Sequence, residues 1–284
     1  MIAFAGRCLR VYFRDRGAVF FSLLSVIIVI GLYALFLRDM MLAGWPDLPG
    51  VAFLMDSWLV SGMLAVTAVT TALGTFGVLV EDRVRGVDRD FACSPAPRSA
   101  LAGGYIAAGC AVSLLMSLAA LVLGEAYLVF AGGTLLPLPG LLRLLGAMAL
   151  SVLASSAVMF CFVTCFHSSN AFSGASIVIG TLIGFVTGTY IPIGSLPEAV
   201  QWLIRLIPFS HSAALYRQAL MEAPLASAFA GAPAGAAEAL REELGVTLAY
   251  GSQALSPLVS ALALAATALV FYALGLWNLA RKRR

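Results

Sequence analysis

Six long apolar segments, separated by short polar stretches, limit the fold of this sequence more than any other feature. Each is long enough for an α-helix to cross the hydrocarbon core of a bilayer, which takes about 20 mostly apolar residues. Because 61% of the 284 residues are hydrophobic and only 11% are charged, the chain could not cover the surface of a soluble domain. The sequence therefore predicts an all-α, multi-pass membrane protein with spans at 18–37, 58–80, 103–123, 141–166, 171–191 and 257–280.

The distribution of basic residues predicts the orientation of these spans. Most Lys and Arg residues cluster at 7–16, 83–98 and 281–284, whereas most acidic residues fall in the other connections. Basic residues favour the cytoplasmic side, so both termini are expected in the cytoplasm, which agrees with an even number of spans. The abundance of Ala and Gly and the preference for Arg over Lys suggest a bacterial gene, and hence the bacterial cytoplasmic (inner) membrane.

The composition also excludes an ATPase site of the P-loop type. That motif requires a lysine directly before Ser or Thr, and the single lysine, Lys282, is followed by Arg283. Serine-hydrolase and zinc-protease motifs are absent from the sequence, which contains only two histidines. We therefore expect no catalytic residue, no metal site and no cofactor in this chain, and no binding of nucleic acid.

Two connecting regions differ from ordinary loops. Residues 1–17 carry arginines on one side of a helix and apolar residues on the other, a pattern typical of a helix that lies in the membrane interface. Residues 192–256 begin with a turn and two short apolar helices, about 198–207 and 210–221. These helices are too short to span and too apolar for an exposed loop, so we expect a re-entrant helical hairpin followed by an external cap.

The segment 81–98 between the second and third spans carries a single apolar stripe among many charges. Val84, Val87 and Phe91 have the i, i+3, i+7 spacing that places them on one helical face. A short helix of this kind is suited to docking into a groove on a soluble partner. A merely solvated charged loop would not need this stripe, so the sequence favours a docking, or coupling, helix here.

This layout resembles the ABC-2 type transporter permeases over essentially the whole chain. The stretch from Glu81 through Arg85 and Gly86 to Ser94-Pro95 and Arg98 is similar to the coupling-helix signature of that family. The run Pro208-Phe209-Ser210-His211 through Leu215-Tyr216-Arg217 is similar to its motif after the fifth span. Size and loop pattern are closest to the daunorubicin-resistance-type drug permeases. The resemblance implies one ABC-2 (type V exporter-like) transmembrane domain over residues 1–284.

The resemblance also implies partners and roles. The permease would pair with a second copy, a homodimer being favoured over a heterodimer, and with two separate ATPase subunits that bind ATP and Mg²⁺. Membrane lipid would surround it, and the substrate would be an amphipathic drug, a lipid or a lipid-linked molecule. The coupling residues would be those of the charged segment, with the apolar stripe seated in the ATPase. They are Glu81, Val84, Arg85, Val87, Phe91 and Arg98.

Small and polar residues on the second and fifth spans are candidates for a substrate route. By resemblance to the family, these two spans would wall a central path lined by Thr67, Thr71, Thr75, Thr181, Phe185 and Thr189. Gly180, Gly184 and Gly188 recur at every fourth position, which permits close helix approach. Ordinary helix packing explains the same residues equally well.

Two other functions remain possible from the sequence. One is an ion-coupled secondary transporter, and the other is a membrane-embedded assembly or immunity protein without transport. The predicted span interiors contain almost no ionisable residues, and ion-coupled carriers usually depend on such groups. This shortage favours the ABC permease.

Overall fold

Helices form nearly all the regular structure of the protein. A computed structural model of the chain describes residues 2–45, 49–87, 91, 93, 98–230, 235–250 and 253–281. The helices in these ranges are α1 (Ile2–Arg14), α2 (Arg16–Leu32), α3 (Arg38–Ala43), α4 (Val51–Val84), α5 (Arg98–Phe130), α6 (Leu138–Val163), α7 (Ser169–Val186), α8 (Glu198–Leu206), α9 (Pro208–Ala228), α10 (Ala236–Glu243) and α11 (Pro257–Arg281). A π-helical stretch, Tyr33–Leu37, joins α2 to α3, and a 3₁₀ turn, Ile193–Ser195, precedes α8.

Six helices of the described ranges are long and apolar enough to cross a membrane. They are the continuous segment Arg16–Ala43, then α4, the Ala100–Phe130 part of α5, α6, α7 and α11. The prediction of an all-α membrane protein with six spans is thereby confirmed. An even number of crossings places both ends of the chain on one side and the α8–α9 hairpin on the other.

The helix ends differ from the predicted span ends where polar residues or glycine intervene. The second span, α4, extends beyond the predicted 58–80 at both ends and includes Asp56 and Asp82. The fifth, α7, ends at Val186 rather than at residue 191. Gly188 adopts a φ of 63°, a left-handed conformation that glycine tolerates and that terminates helices.

Helix α4 lies at the centre of the protein. It packs against α5, α6, α7 and α9, and most of its length is buried. Close approach depends on small residues: a side chain at Gly109 of α5 would overlap the ring of Phe76 of α4. Helices α2, α7 and α11 are mostly exposed and carry apolar side chains on their outer faces, as expected where lipid or another membrane subunit covers them.

The regions outside the spans also take the predicted helical form. Amphipathic α1 buries Ala5, Cys8 and Tyr12 and packs on α5. The two hairpin helices are present, but α9 continues to Ala228, beyond the predicted end at residue 221, and packs against α4, α6 and α11. The cap contains α10 and a two-residue antiparallel pair of strands, β1 (Ala249–Tyr250) and β2 (Gln253–Ala254), in which Ala249 faces Ala254.

Candidate functional site

An ion pair joins the N-terminal helix to the end of the second span. Both terminal nitrogens of Arg7 donate to the two carboxylate oxygens of Asp82 at 2.8 Å, and the hydroxyl of Tyr105 from α5 donates to the same carboxylate at 2.6 Å. Hydrogen bonding to Asp82 raises the pKa of Arg7. Bidentate, charge-assisted bonds of this kind are strong and orient both partners, so α1, α4 and α5 are held together at this end.

Aromatic rings extend this contact to the predicted coupling segment. The ring of Phe4 packs edge-to-face on Phe91 and on Tyr105, with centroids 5.0 and 4.9 Å apart. The guanidinium of Arg7 lies 5.2 Å from the Phe91 centroid, within cation–π range. We call Phe4, Arg7, Asp82, Phe91 and Tyr105 the N-terminal cluster.

The same end of α4 also contacts the end of α6, which in turn contacts α11. One terminal nitrogen of Arg83 donates to the carbonyl oxygens of Thr164 and Phe166, at 3.1 and 2.9 Å. Carbonyls at a helix C-terminus lack partners within the helix and favour a nearby cation. Asn278 of α11 donates to the Thr164 hydroxyl at 2.9 Å. A displacement of this end of α4 would therefore act on four other helices.

The predicted coupling residues lie in two environments. Val84 is 52% exposed, and Glu81 accepts from Arg85 at 2.7 Å in an exposed pair. Val87 and Phe91 are helical and half-buried, and Phe91 contacts α1 as described above. Residues 88–90 and 94–97 and the side chain of Arg98 lie outside what is described, although Arg98 begins α5. The docking of this segment on a partner stays a prediction.

A cleft of about 490 Å³ lies between α2, α4 and α7. Its polar lining comes mainly from hydroxyl groups of α1, α2, α4 and the turn after α7. These are Tyr12, Ser22, Ser25, Thr67, Thr70, Thr71, Thr189 and Tyr190. The α4 threonines bond to carbonyls of their own helix, which leaves a mildly polar wall. Asp15 is the charged lining residue. We call this space the membrane cleft.

The structure brings together some of the predicted route residues and separates others. Thr67, Thr71 and Thr189 line the membrane cleft. Thr75 is buried and donates to the carbonyl of Thr71 outside the cleft lining. Thr181 and Phe185 lie on the exposed side of α7, and Phe185 packs edge-to-face on Tyr190.

The three glycines of the fifth span have different surroundings. Gly180 lines the membrane cleft. A side chain at Gly184 would overlap the ring of Tyr190, so this glycine makes room for the turn after α7. Gly188 lies beyond the end of α7, in the left-handed conformation described above. Within the described chain, Gly184 and Gly188 therefore shape the end of α7. The close approach of another helix to these glycines stays a prediction.

Arg217 of α9 is a fully buried cation held by backbone carbonyls. It donates to the carbonyl oxygens of Thr187 and Gly188 at 2.8 Å and to that of Gly245 at 3.4 Å. Its guanidinium lies 5.5 Å from the centroid of the buried Trp58 ring. Two of these acceptors follow the C-terminus of α7, so the negative end of that helix faces the cation. Arg217 thus joins the hairpin, α7 and the cap.

Sequence reasoning missed the ionisable groups at the ends of α4. Arg38 donates through two nitrogens to Asp56 at 3.1 and 3.2 Å, and Tyr127 donates to it at 3.1 Å. Asp56 and Asp82 both lie outside the predicted span 58–80, but α4 extends past this apolar window and includes them. Each of these carboxylates is paired with an arginine and so is poorly suited to carry a transported ion.

Comparison with known proteins identifies the family. No curated protein sequence matches the chain. The family described as ABC-2 family transporter protein matches residues 49–277, which include α4 to α9, the cap and nearly all of α11. Among the described residues, no three His, Cys, Asp or Glu side chains are grouped so as to hold a metal ion. Because the match covers most of the chain and agrees with the six-span fold, the protein belongs to the ABC-2 type transporter permease family.

Proposed function

We propose that this chain is the membrane-spanning subunit of an ABC exporter in the bacterial inner membrane, with both termini in the cytoplasm. Two copies of the permease would assemble with two ATPase subunits, which bind ATP and Mg²⁺ and hydrolyse the nucleotide. The transported molecule would be amphipathic: a drug, a lipid or a lipid-linked compound. The family membership supports the general role, and the contacts of the described residues support the way in which force and substrate are handled.

The observation that carries the proposal is the N-terminal cluster. A permease without its own ATP site needs a rigid connection between the surface that contacts the ATPase and the helices that bound the substrate. Phe91 and Val84 belong to the predicted coupling segment, and Arg7, Asp82 and Tyr105 connect that segment to α1, α4 and α5. Motion imposed on the coupling segment would therefore reach the central helix α4 directly.

The membrane cleft is the proposed substrate site. Its hydroxyl groups and apolar side chains suit a molecule with both polar and apolar parts, and its shortage of charged side chains disfavours small ions. The outer faces of α2 and α7, on either side of the cleft, are apolar and exposed. A second copy placed against these faces would enclose the cleft and complete a route between two permeases.

The proposal is tested by co-purification with the ATPase subunit encoded beside the permease gene. We expect Val84→Asp to abolish capture of this ATPase. Val84 is exposed and lies outside the buried core of the described residues, so a carboxylate there should leave the fold intact. Leu135→Asp is the matched control, since Leu135 is 67% exposed in the connection between α5 and α6, on the opposite side of the membrane.

Three outcomes bear on the proposal. Loss of the ATPase in Val84→Asp, with retention in Leu135→Asp, supports it. Equal retention in both variants shows that the stripe is not the docking surface. Transport that continues without ATP and stops when the proton gradient is removed contradicts an ABC exporter altogether.

A further inference from the structure

A second large cleft, of about 670 Å³, lies on the side of the membrane opposite the chain termini. Helices α6, α9 and α11 and the cap form its walls, and it shares no lining residue with the membrane cleft. We call it the outer cleft. Most of its lining is apolar, including Leu150, Leu215, Leu258 and Ala261. Polar side chains come from α6, α9 and the cap: Arg143, Gln218, Glu222, Arg241 and Thr247. A mainly apolar cleft with a few polar groups suits a molecule with an acyl chain and a polar head.

Two buried polar atoms in the outer cleft lack partners within the described chain. They are the Nε donor of Arg241 and the Oε1 acceptor of Gln218, and both residues line the cleft. The other end of the Gln218 amide is fixed, because its Nε2 donates to the Val246 carbonyl at 2.9 Å. Buried polar groups are nearly always hydrogen-bonded. A ligand that fits both would accept from Arg241 and donate to Gln218.

The charges around the cleft specify an anion. Arg143 and Glu222 form an exposed ion pair at its rim, so their charges offset one another. The guanidinium of Arg241 has no carboxylate partner among the described residues. The lining of the outer cleft therefore carries one net positive charge, from Arg143 and Arg241 against Glu222. Glu242 and Glu243, which follow Arg241, line a different cavity. An arginine fork matches the geometry of a phosphate.

We propose that the outer cleft binds one glycerophospholipid whose headgroup carries a hydrogen-bond donor, as in phosphatidylglycerol. The phosphate accepts from Arg241, the headgroup hydroxyl donates to Gln218, and an acyl chain lies along Leu150 and Leu258. Because the walls come from two spans, the hairpin and the cap, the bound lipid fastens the cap to the membrane-spanning helices. This site is separate from the proposed substrate site and does not depend on which molecule is exported.

The test measures lipid binding to the purified, delipidated full-length permease in detergent by native mass spectrometry. The probes are dioctanoyl phosphatidylglycerol, dioctanoyl phosphatidylcholine, dioctanoylglycerol and inorganic phosphate. Choline has no N–H or O–H to donate to Gln218, so phosphatidylglycerol should bind more tightly than phosphatidylcholine. Loss of a charge-assisted bond should weaken binding of phosphatidylglycerol to Arg241→Gln about tenfold or more.

Two further variants and one control make the result specific. Ala261→Trp fills the apolar part of the cleft without changing charge and should abolish binding. Gln218→Met should remove the preference for phosphatidylglycerol over phosphatidylcholine. Arg205→Gln removes an arginine on the same side of the membrane but outside the cleft lining, and should leave binding unchanged.

The proposal is overturned if the wild-type protein binds all three lipids equally, or if Arg241→Gln and Ala261→Trp bind phosphatidylglycerol as the wild type does. Displacement of the lipid by millimolar inorganic phosphate would instead indicate a site for free phosphate, which also contradicts it. The wild-type comparison of headgroups needs no variant, so the proposal can be refuted even if a substitution prevents folding.

Discussion

Breaking the Arg7–Asp82 pair should release α1 from the membrane-spanning helices, and Cys8 offers a direct measure of that release. Asp82→Asn keeps the size of the side chain but removes the charge that Arg7 contacts through two hydrogen bonds. Cys8 lies next to Arg7 on the buried face of α1 and is 2% exposed. Burial raises the pKa of its thiol from 9.0 to about 11, so the reactive thiolate is scarce near neutral pH.

The expected change in reactivity follows from this pKa. Exposure of Cys8 would lower its pKa from about 11 back to 9.0, which increases the thiolate fraction near neutral pH about 100-fold. A thiolate of lower pKa is also less nucleophilic, with a Brønsted coefficient of about 0.5, which reduces the gain to about tenfold. Loss of the steric protection around Cys8 would increase its alkylation rate further. We therefore expect Asp82→Asn to speed alkylation of Cys8 by N-ethylmaleimide at least about tenfold.

The assay is time-resolved alkylation in detergent, read out at each cysteine by peptide mass spectrometry. Cys165 is exposed beyond the end of α6 in the same protein and serves as an internal reference whose rate should not change. Glu81→Gln is the matched control variant, because its pair with Arg85 is exposed and such pairs contribute about 0–1 kcal/mol. An unchanged Cys8 rate in Asp82→Asn would refute the view that this ion pair holds α1 in place.

Three further substitutions test other parts of the structure. Thr70→Trp, which fills the membrane cleft, should abolish export in a vesicle transport assay while ATPase capture persists. Val122→Trp should retain export, because Val122 is 68% exposed on α5 and lies outside the cleft lining. Arg217→Met should lower the melting temperature, since each buried carbonyl left without a donor costs about 1–3 kcal/mol. Arg217→Lys should recover only part of this loss, because an ammonium cannot reproduce the guanidinium geometry. Gly109→Ala should destabilise the protein by about 1–3 kcal/mol in thermal unfolding because it overlaps Phe76; no loss of stability would show that the α4–α5 contact is not tightly packed.

The spans could be predicted from the sequence because each is a local property. Hydropathy over about 20 residues is sufficient to identify such a helix, and the break at Pro208 is a local signal as well. The end of α7 at Val186 was not predicted, because the apolar window continues to residue 191. The ends of α4 were harder to predict from the sequence. Polar residues such as Asp56 and Asp82 stop an apolar window, although the helix continues through them where arginines satisfy the carboxylates.

The partners of these polar residues could not be predicted from local pattern. Arg7 and Asp82 lie 75 positions apart, and Arg38 and Asp56 are 18 apart. The two members of each pair lie on different helices, so a helical period along the sequence does not indicate their contact. Phe91 was assigned to a stripe facing an ATPase by its spacing, yet its ring also contacts Phe4 of α1. Only the packing of α1 on α5 brings those rings together.

The two missed ion pairs explain how the membrane cleft can exist beside the rigid helix α4. Arg7 and Arg38 lie on the helices that flank α2 on either side, and each binds an aspartate near an opposite end of α4. Helix α2 is therefore fastened to α4 near both ends. Between these ends it lines the cleft and packs on the core through Val26, while most of its length is exposed, so few contacts resist its movement. Loosening the Arg7–Asp82 pair frees one end of α2. A change at the coupling segment, transmitted through Phe91 and Arg7, is therefore expected to alter the width of the cleft by moving α2 while α4 stays in place.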